Sequence, residues 1–589
     1  MNILGIQKDH NASACLFVDG KLVYYNEEDR LSRIKKDTGF PFYCVQEIQK
    51  ISPKLDVLII TGYDNIRSEY HSITHLVVKM GFKLNRGFKL VTRNKSHHLS
   101  HAAKAFYNSG FEDALVIVWD GRGSSFNLTT GYQAHETRTA FIAKYPNMFH
   151  AIYKRLYTTS KVTEDTGIIW DNSVAVSKEE WPRWHLRSST VEIRNDFDLG
   201  LMYEAFSRSL GFNDEGGKML GYSGYGQYDP QIPTIIGDKQ IFNMGLLTFD
   251  KFGQHNGMQF GQYTFLINND EKLKNLAFHV QRSLESAGLD FIQKMLAQSG
   301  KTNLVLTGGV ALNVVANNYY RKNLPSNINM YVEPMCGDEG NCIGMVQYYL
   351  NERRGTTSPT PFPNIYLCGH TPSYDSYIPE EGETVYEDVD EKMVAQLLIR
   401  KNIVAIFQGK AESGPRALGN RSILFDPRVP NGKDILNKVK SRESFRPFAA
   451  TIMLEHVHDW FEMNGLTESP YMMYAVDAKE GVAEKVPSVV HVDNTCRIQT
   501  LTEEQNLNFY KLIKEFYNNT GIPMLFNTSF NLGGDPIVET LDDAVKSCRF
   551  SYIEYLYLPE IKKVIQFNKK FKVTTPNLQM NILPPAELD

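Results

Sequence analysis

The chain has 589 residues, which is too long for a single hydrophobic core, so we expect two domains or three. Hydrophobic residues make up 42% of the chain and charged residues 22%, and these values exclude a disordered or membrane-embedded protein. The formal net charge of -4 gives no overall attraction for nucleic acid, so we do not expect a polymeric nucleic acid partner.

The cysteines and the first residues bear on the cellular compartment. Seven cysteines are scattered along the chain without a C-x-x-C pair, a pattern typical of reduced thiols. The opening stretch MNILGIQKDHNASACLF lacks the charged-then-apolar order of a signal peptide, and no apolar run approaches the roughly 18 residues of a membrane span. We therefore expect a cytoplasmic protein with no membrane partner.

Strand and turn signals open the chain. The stretch NILGI predicts a strand, and CLFVDGKLVYYNEEDR predicts a hairpin that turns at Asp19 and Gly20. A comparable unit recurs at ALVIVWDGRGSSFNLTTGYQ, which favours a duplicated α/β core. The charged segment EEDRLSRIKKD follows the first hairpin. It is either a solvated face or a place where Lys35 and Lys36 reach an anionic substrate.

Residues 96–110, SHHLSHAAKAFYNSG, predict a short helix, because Ser begins it, its middle is Ala-rich and Gly ends it. His97 and His101 are four residues apart and would share one face of that helix. The apolar strand ALVIVWD follows and ends at Asp120. Two imidazoles and a carboxylate indicate a metal site with nitrogen and oxygen ligands. The alternative is a helix with incidental histidines.

The pattern loosens over residues 132–191, where regular periodicity is poor. This segment is aromatic-rich, and three of the five tryptophans lie in it: Trp170, Trp181 and Trp184. Irregular aromatic segments line binding surfaces, but they also serve as lids or packing inserts, and the sequence leaves both readings open.

Three glycine-rich corners follow. Residues 213–229 place Lys218 among glycines, which let a backbone approach phosphate. The order strand, Gly308, Gly309 and helix predicts either a nucleotide-binding corner or only a tight turn. The stretch INMYVEPMCGDEGNCIG puts Asp338 at another strand-to-helix corner, where a cation can reach it.

A Pro- and Thr-rich linker, residues 351–364, predicts the end of the first domain. Two basic stretches follow it, GKAESGPRALGNRSILFDPR and NKVKSRESFRPFA. Guanidinium groups bind phosphate with two parallel hydrogen bonds, and neighbouring glycines let backbone amides join them. The density of these stretches favours a polyanion site over an ordinary solvated surface.

The motifs KSHHLSHA, VWDGRG, LTGGVALN and CGDEGN, with DHNASA and EEDRLSRIKKD, resemble those of the NodU/CmcH family of O-carbamoyltransferases over nearly the whole chain. The resemblance implies an α/β protein of two domains. Residues 1–355 would form a duplicated actin/Hsp70-like (ASKHA, TsaD-like) carbamoyl-transfer and metal domain, with an acceptor-side insertion at 132–191. Residues 356–589 would form a YrdC-like α/β domain that makes carbamoyl-adenylate.

The resemblance also implies the site residues. The metal, Fe2+ or another divalent ion, would be held by His97, His101, Asp120 and Asp338. The catalytic residues would be His10, Lys35, Arg416 and Arg446. The nucleotide and carbamoyl phosphate would be bound by Lys218, Gly308, Gly309, Asn313, Lys410, Glu412, Arg421, Ser422, Lys438, Arg442, Arg497, Gln499, Asn527, Ser529 and Asn531. Lys36 and Lys410 stand where the family commonly has His and Arg.

The implied activity is ATP-dependent O-carbamoyl transfer. Carbamoyl phosphate and ATP, with Mg2+, would give carbamoyl-adenylate and pyrophosphate. The carbamoyl group would then pass to a hydroxyl of a small-molecule acceptor, such as a natural-product sugar or a 5-hydroxymethyl pyrimidine nucleotide. Two alternatives remain, a tRNA threonylcarbamoyl-type modification enzyme and a non-catalytic ATP-binding module. A homodimer is the default assembly.

Overall fold

The protein has the predicted α/β architecture. The computed structural model describes residues 1–62, 67–93, 95–163, 168–169, 190–212, 216–237, 240–249, 255–258, 269–354, 359, 361–375 and 377–567. Residues 1–354 form what we call the N-terminal lobe, and residues 359–567 form the C-terminal lobe. The predicted boundary at 355 stays a prediction, because residues 355–358 lie outside the described part. So do the chain after 567 and three of the tryptophans, Trp170, Trp181 and Trp184.

The first sheet has five strands in the order β3-β2-β1-β4-β5. They are β1 (Asn2–Gln7), β2 (Ser13–Val18), β3 (Lys21–Glu27), β4 (Lys54–Thr61) and β5 (Lys83–Thr92), with α1 (Glu28–Ser32), α2 (Phe42–Ile51) and α3 (Arg67–Lys79) between them. The predicted hairpin is confirmed, since β2 and β3 are joined by Asp19 and Gly20. Both residues have positive φ, as a tight two-residue turn requires.

The second half of the N-terminal lobe contains an eight-stranded sheet, two small two-stranded sheets and, within the described residues, six α-helices. In chain order its elements are α4 (His97–Ser109), β6 (Asp113–Trp119), β7 (Ser125–Leu128), β8 (Gln133–Lys144), β9 (Met148–Tyr157), β10 (Ile168–Ile169), β11 (Thr190–Arg194), α5 (Leu199–Ser209), α6 (Gly216–Ser223), β12 (Ile236–Gly237), β13 (Ile241–Phe242), β14 (Leu247–Phe249), β15 (His255–Met258), α7 (Asp270–Ser299), β16 (Asn303–Thr307), α8 (Val314–Asn323), β17 (Asn329–Val332) and α9 (Asn341–Arg354).

The two halves of this lobe repeat one topology. Strands β9-β8-β6-β16-β17 run in the same spatial order, and with the same directions, as β3-β2-β1-β4-β5. The predicted duplication is therefore confirmed. The expectation of poor regularity throughout residues 132–191 is wrong for β8 and β9, which are the counterparts of β2 and β3. Much of β8 is buried on both faces, so it shows no alternation that a sequence reader could recognise.

The C-terminal lobe is built on a mixed ten-stranded sheet in the order β18-β27-β26-β19-β20-β25-β21-β24-β23-β22. Its elements are β18 (Glu383–Tyr386), α10 (Glu391–Ile399), β19 (Val404–Phe407), β20 (Arg421–Phe425), α11 (Gly432–Val439), β21 (Ala449–Met453), α12 (Val457–Trp460), β22 (Phe461–Glu462), β23 (Ala475–Ala478), α13 (Val482–Lys485), β24 (Thr495–Leu501), α14 (Leu507–Thr520), β25 (Met524–Ser529), α15 (Leu541–Arg549), β26 (Tyr555–Leu558) and β27 (Lys563–Phe567).

One apolar core runs through both lobes. Its buried side chains belong to α7 and the second sheet on one side and to the ten-stranded sheet on the other. Phe445 of the C-terminal lobe packs against Phe212 and Tyr222 of the N-terminal lobe, with ring centroids 5.4 and 5.2 Å away. A second core lies between the two N-terminal sheets around α4 and α9. No helix in the described residues is long and apolar enough to cross a bilayer.

Candidate metal centre and adjoining cation cluster

Four predicted ligands come together at one place in the N-terminal lobe. Helix α4 supplies His97 and His101, the end of β6 supplies Asp120, and a 3-10 turn before α9 supplies Asp338. One ligand atom from each lies within 4.8 Å of the others. The closest approaches, both 3.0 Å, join His97 Nε2 to Asp120 Oδ2 and His101 Nε2 to Asp338 Oδ1. The four-residue spacing thus places both histidines on one face of α4, as the sequence predicted.

The charges at this centre favour a cation. Burial opposes a charge on His97, yet Asp338 and Asp120 raise its pKa to about 10. Against the same burial, His97 lowers the pKa of both carboxyl groups, that of Asp338 most strongly. Two ionised carboxylates and one extra proton therefore lie within a buried space. A divalent ion would compete for the position of that proton.

The donor set fits a divalent metal. The Nε2 atoms of His97 and His101 face each other at 3.2 Å, so only one of them can carry the proton between them. Two imidazoles and two carboxylates form a mixed set that suits iron and several other divalent ions. Four protein ligands leave positions open for substrate oxygens at an octahedral ion. The residues present therefore fit the metal that the sequence implied.

A close backbone approach sets the position of Asp120. Gly308 ends β16 with a φ of +90°, and a Cβ atom there would lie 2.2 Å from the carbonyl oxygen of Trp119. The amide of Gly309 points at Asp120 Oδ1 across 3.4 Å. The predicted glycine corner therefore lies directly beside the metal centre. Asn313 ends the 3-10 turn after it, caps α8 and bonds Gln281 at 2.9 Å.

His10 and Lys35 lie on two loops that are bonded to each other. Asp9 and Gly39 exchange both backbone hydrogen bonds, at 3.2 and 2.9 Å. Asn11 donates to Glu339 at 3.1 Å, which ties the loop of His10 to the turn that carries Asp338. Asp9 and Asn11, on either side of His10, both have positive φ. Strain of this kind is often kept where a side chain has to be presented in one direction.

Lys104 supports the metal centre, and sequence reasoning missed it. It is completely buried on α4, and its Nζ donates to the carbonyl oxygen of Gly337 at 2.7 Å. The bond holds the residue before Asp338. A lysine three residues after His101, in an otherwise Ala-rich helix, was the signal available in the sequence.

A second group of charges lies between the lobes. We call the following six side chains the cation cluster: Lys35, Arg416, Lys440, Arg442, Arg446 and Arg497. Burial lowers the pKa of Lys440 well below its usual range, and the neighbouring Arg442 and Arg446 lower it further. Burial and the same arginines also lower the pKa of Arg497. Like charges held this close together favour the binding of a polyanion.

The lysine that the C-terminal lobe contributes to this cluster is Lys440 and not the predicted Lys438. Lys438 is exposed on α11, whereas Lys440 lies just past the end of that helix and is only 2% exposed. Lys440 Nζ donates to Asn531 Oδ1 at 2.9 Å and to Ser529 Oγ at 3.1 Å. Two of the predicted residues, Ser529 and Asn531, therefore orient a cation.

Several other predicted phosphate ligands make hydrogen bonds within or to the arginine loop, which we define as residues 409–421, and so stabilise its conformation. Arg421 is the clearest correction, because it is buried and donates to the carbonyl oxygens of Gln408, Gly409, Asn420 and Glu539. Both of its Nη atoms therefore bond the backbone, whereas its buried Nε has no partner among the described residues. Bonds from the same loop also engage four further predicted residues: Glu412, Ser422, Gln499 and Asn527. Lys410 is half-buried in this loop.

Two side chains cross between the metal-bearing lobe and the cation cluster. Lys218 on α6 pairs with Glu443 at 2.8 Å, and Arg446 lies 3.6 Å from the same carboxylate. Arg416 donates to the carbonyl oxygen of Leu312, in the turn that follows Gly308, at 3.2 Å. The predicted nucleotide residues of the two lobes thus meet at one junction.

Comparison with known families agrees with this geometry. A family described as Carbamoyltransferase N-terminus matches residues 68–346, and one described as Carbamoyltransferase C-terminus matches residues 395–563. Together they cover more than half of the chain. The chain belongs to the carbamoyltransferase family. It is therefore an enzyme that transfers carbamoyl groups, and the two family regions correspond to the two lobes.

Relatives of this carbamoyltransferase span nearly all of it. An uncharacterized protein of Synechocystis sp. is 29% identical over 95% of this chain and 95% of its own length. An uncharacterized protein of Methanocaldococcus jannaschii is 28% identical, with 92% and 96% covered. The nodulation protein NolNO of Sinorhizobium fredii is 27% identical, with 91% and 76% covered. Full-length HypF in a phosphate- and nucleotide-bound form is 13% identical over 60% of this chain and 56% of that chain, with a TM-score of 0.35.

Proposed function

We propose that this carbamoyltransferase works in two half-reactions, one in each lobe. In the first, ATP and carbamoyl phosphate give carbamoyl-adenylate in the C-terminal lobe. In the second, the carbamoyl group passes to a hydroxyl of a small-molecule acceptor in the N-terminal lobe. The observation that carries the proposal is the cation cluster, whose mutual repulsion a triphosphate would relieve, beside a metal centre in the other lobe.

The first half-reaction needs charge neutralisation above all. Water would first release phosphate from carbamoyl phosphate. The resulting carbamate would then attack the α-phosphorus of ATP as pyrophosphate leaves. Arg416, Arg442 and Arg497 would offset the negative charge that develops there, together with the Mg2+ that accompanies ATP. Lys440 donates its Nζ hydrogens to Ser529 and Asn531 and would contribute positive charge, rather than a hydrogen bond, once a polyanion is bound. One water is consumed in releasing phosphate; after that step carbamate would break down to ammonia and carbon dioxide and its mixed anhydride would hydrolyse, so the lobe junction would have to exclude further water.

The second half-reaction would take place on the other side of that junction. An acceptor hydroxyl attacks the carbamoyl carbon, the bond to AMP breaks, and the hydroxyl proton leaves. His10 and Lys35, on their paired loops, would stabilise the negative charge that develops on the departing oxygens. His97, His101, Asp120 and Asp338 would hold the divalent ion, Fe2+ in this proposal, and a bound ion supplies Lewis-acid stabilisation of oxygen charge.

A pair of assays on two variants tests this division. Arg416→Ala should abolish carbamoyl-phosphate-dependent exchange of labelled pyrophosphate into ATP, because the activating lobe loses a charge donor. His97→Ala should retain that exchange while losing acceptor carbamoylation and bound metal. Exchange that survives Arg416→Ala, or equal loss of both reactions in His97→Ala, would contradict the proposal.

The acceptor belongs to the proposal only as a class. A natural-product sugar or a 5-hydroxymethyl pyrimidine nucleotide offers the primary or secondary hydroxyl that the reaction needs. A screen of candidate alcohols with ATP and carbamoyl phosphate identifies the acceptor by a mass increase of about 43, which corresponds to one added CONH group.

A further inference from the structure

Two charged side chains of the N-terminal lobe make hydrogen bonds to the backbone of one residue in the arginine loop, Gly414. Glu27, at the end of β3, accepts a hydrogen bond from the amide of Gly414 at 2.7 Å. Arg30, on α1, donates to the carbonyl oxygen of the same glycine at 2.9 Å. Glu27 and Arg30 also pair with each other at 3.2 Å. Both polar groups of Gly414 are therefore satisfied by the other lobe.

The second half of the N-terminal lobe fixes the same loop from another direction. Gly414 has a φ of +83°, and a Cβ atom there would lie 3.0 Å from the carbonyl oxygen of Pro334. Pro334 lies on the segment that leads to Asp338. Two residues after Gly414, the side chain of Arg416 reaches the carbonyl oxygen of Leu312. Contacts from both halves of the N-terminal lobe therefore determine where Arg416 lies.

The hydrogen bonds to Gly414 do more than hold the two lobes together. Glu27 is 8% exposed and Arg30 only 2%, and burying an ion pair costs more free energy than burying an apolar contact of the same size. The lobes already adhere through apolar contacts such as Phe445 on Tyr222. Hydrogen bonds to both the N–H and the C=O of one residue, in contrast, fix position and direction.

We propose that Glu27 and Arg30 are positioning residues for the activation step, so that the N-terminal lobe builds part of the site in the C-terminal lobe. The inference rests on the proposed function, because it assigns Arg416 to charge stabilisation during adenylation. It goes further in assigning residues before position 31 to a reaction that takes place beyond residue 400. The two half-reactions would then be coupled through the arginine loop.

A double variant of the full chain tests this inference. Glu27→Leu with Arg30→Met removes both bonds to Gly414 and both charges of the ion pair, and of the neighbouring carboxylates Asp29 loses its longer, 3.7 Å contact with Arg30. We expect kcat for pyrophosphate exchange to fall about 10- to 100-fold, because a displaced catalytic group loses rate on that scale. KM for ATP should stay within about twofold, because the remaining cations still bind it.

Two matched variants separate positioning from simple support. Glu27→Gln keeps an acceptor for the amide of Gly414 and should keep kcat within about threefold of wild type. Lys322→Met removes a different contact between the lobes, the 2.9 Å pair with Asp477, and should leave exchange unchanged. An unchanged kcat in the double variant, or an equal loss in Lys322→Met, would overturn the inference.

The accessibility of Arg416 to chemical labelling provides a second measurement that does not depend on turnover. Phenylglyoxal labelling of Arg416, mapped by mass spectrometry, should increase severalfold in the double variant, because the loop is no longer held. If the double variant fails to fold, Arg30→Lys keeps the ion pair but loses the reach of the guanidinium, and should show the same increase. Unchanged labelling would overturn the inference. A wild-type protein without exchange would instead contradict the proposed function.

Discussion

Lys440, which we propose helps to bind ATP, is costly to the protein that carries it. Burial lowers its pKa most, and the neighbouring Arg442, Arg446 and Arg497 lower it further. Lys440→Met should reduce pyrophosphate exchange about 100-fold, since a positive charge held beside a developing anion is worth about that much. The free energy of unfolding should fall by no more than about 1 kcal/mol, because repulsion is removed along with the hydrogen bonds.

Lys438→Met provides the matched control for this prediction, since Lys438 is exposed on α11 two residues earlier. Its exchange rate and its urea unfolding curve should both equal those of wild type. A larger loss of exchange in Lys438→Met than in Lys440→Met would return the assignment to the residue that the sequence suggested.

Glu136 should govern part of the acid stability. Burial opposes its charge, but His98 and Lys154 lower its pKa to about 2. Because burial lowers the pKa of His98 itself to about 3, Lys154 is the cation that pairs with Glu136 at neutral pH. An unfolded glutamate has a pKa of about 4.3, so this ion pair stabilises the folded state fully above about pH 4 and loses its contribution as pH falls toward about 2. Glu136→Gln should cost about 2 to 3 kcal/mol at neutral pH and should make the acid limb shallower.

Urea unfolding between neutral pH and about pH 3 checks the Glu136 prediction. Glu112→Gln is the control, because Glu112 is exposed and should leave the pH profile unchanged. A Glu136→Gln profile parallel to that of wild type would show that another group controls acid unfolding.

The sequence predicted individual ligands better than it predicted their supports. His97, His101 and Asp120 could be found because helical spacing and the end of a strand are local patterns. Lys440, Glu27 and Arg30 could not, because their partners lie up to several hundred residues away along the chain. Lys440 was missed for a further reason: α11 ends at Val439, so a two-residue offset changes which lysine is buried.

At the scale of single elements, two glycines end secondary structure for different reasons. Gly110 ends α4 with a φ of +73°, and an added Cβ would meet only Pro361 at an ordinary 3.6 Å. Gly308 ends β16 where an added Cβ would collide with the backbone of Trp119. Gly110 is needed only for its left-handed backbone conformation, whereas Gly308 is needed because no Cβ atom fits beside the backbone of Trp119.

Alanine substitution at each glycine tests this distinction. Gly110→Ala should cost about 1 kcal/mol and leave metal binding intact. Gly308→Ala should cost more and should also reduce bound metal, because the end of β6 and its Asp120 must move. Calorimetry and elemental analysis of both variants provide the measurements. Equal metal content in the two variants would show that the corner does not control Asp120.

The duplication of the core was predicted correctly, but the second hairpin on which it was based was wrong, because β7 pairs with β8 and β10 and not with β6. The first hairpin has a two-residue turn at Asp19 and Gly20, a strong local signal. The counterpart of that hairpin joins β8 to β9, whereas Asp120 and the short β7 lie in the connection from β6 to β8, which corresponds to the shorter connection between β1 and β2. Because these connections differ in length, the repeat is visible in strand order and not in residue spacing.

For the whole molecule, the shared core predicts cooperative unfolding. The second half of the N-terminal lobe and the C-terminal lobe bury one continuous set of apolar side chains. We expect a single calorimetric transition for these parts, because neither can lose its core alone. Phe445→Ala should cost about 2 kcal/mol or more, and Tyr552→Ala, at an exposed aromatic residue, should cost little. Two well-separated transitions in wild type would contradict this view.

The shared core also bears on how the chain is made. A ribosome releases the first two sheets before it has synthesised the ten-stranded sheet that covers one side of them. Until then, part of the apolar surface around α7 is uncovered. It remains prone to aggregation for the several seconds or more that the remaining residues take to emerge. Slow translation or early termination past about residue 354 would therefore lead to aggregation rather than to a smaller working enzyme.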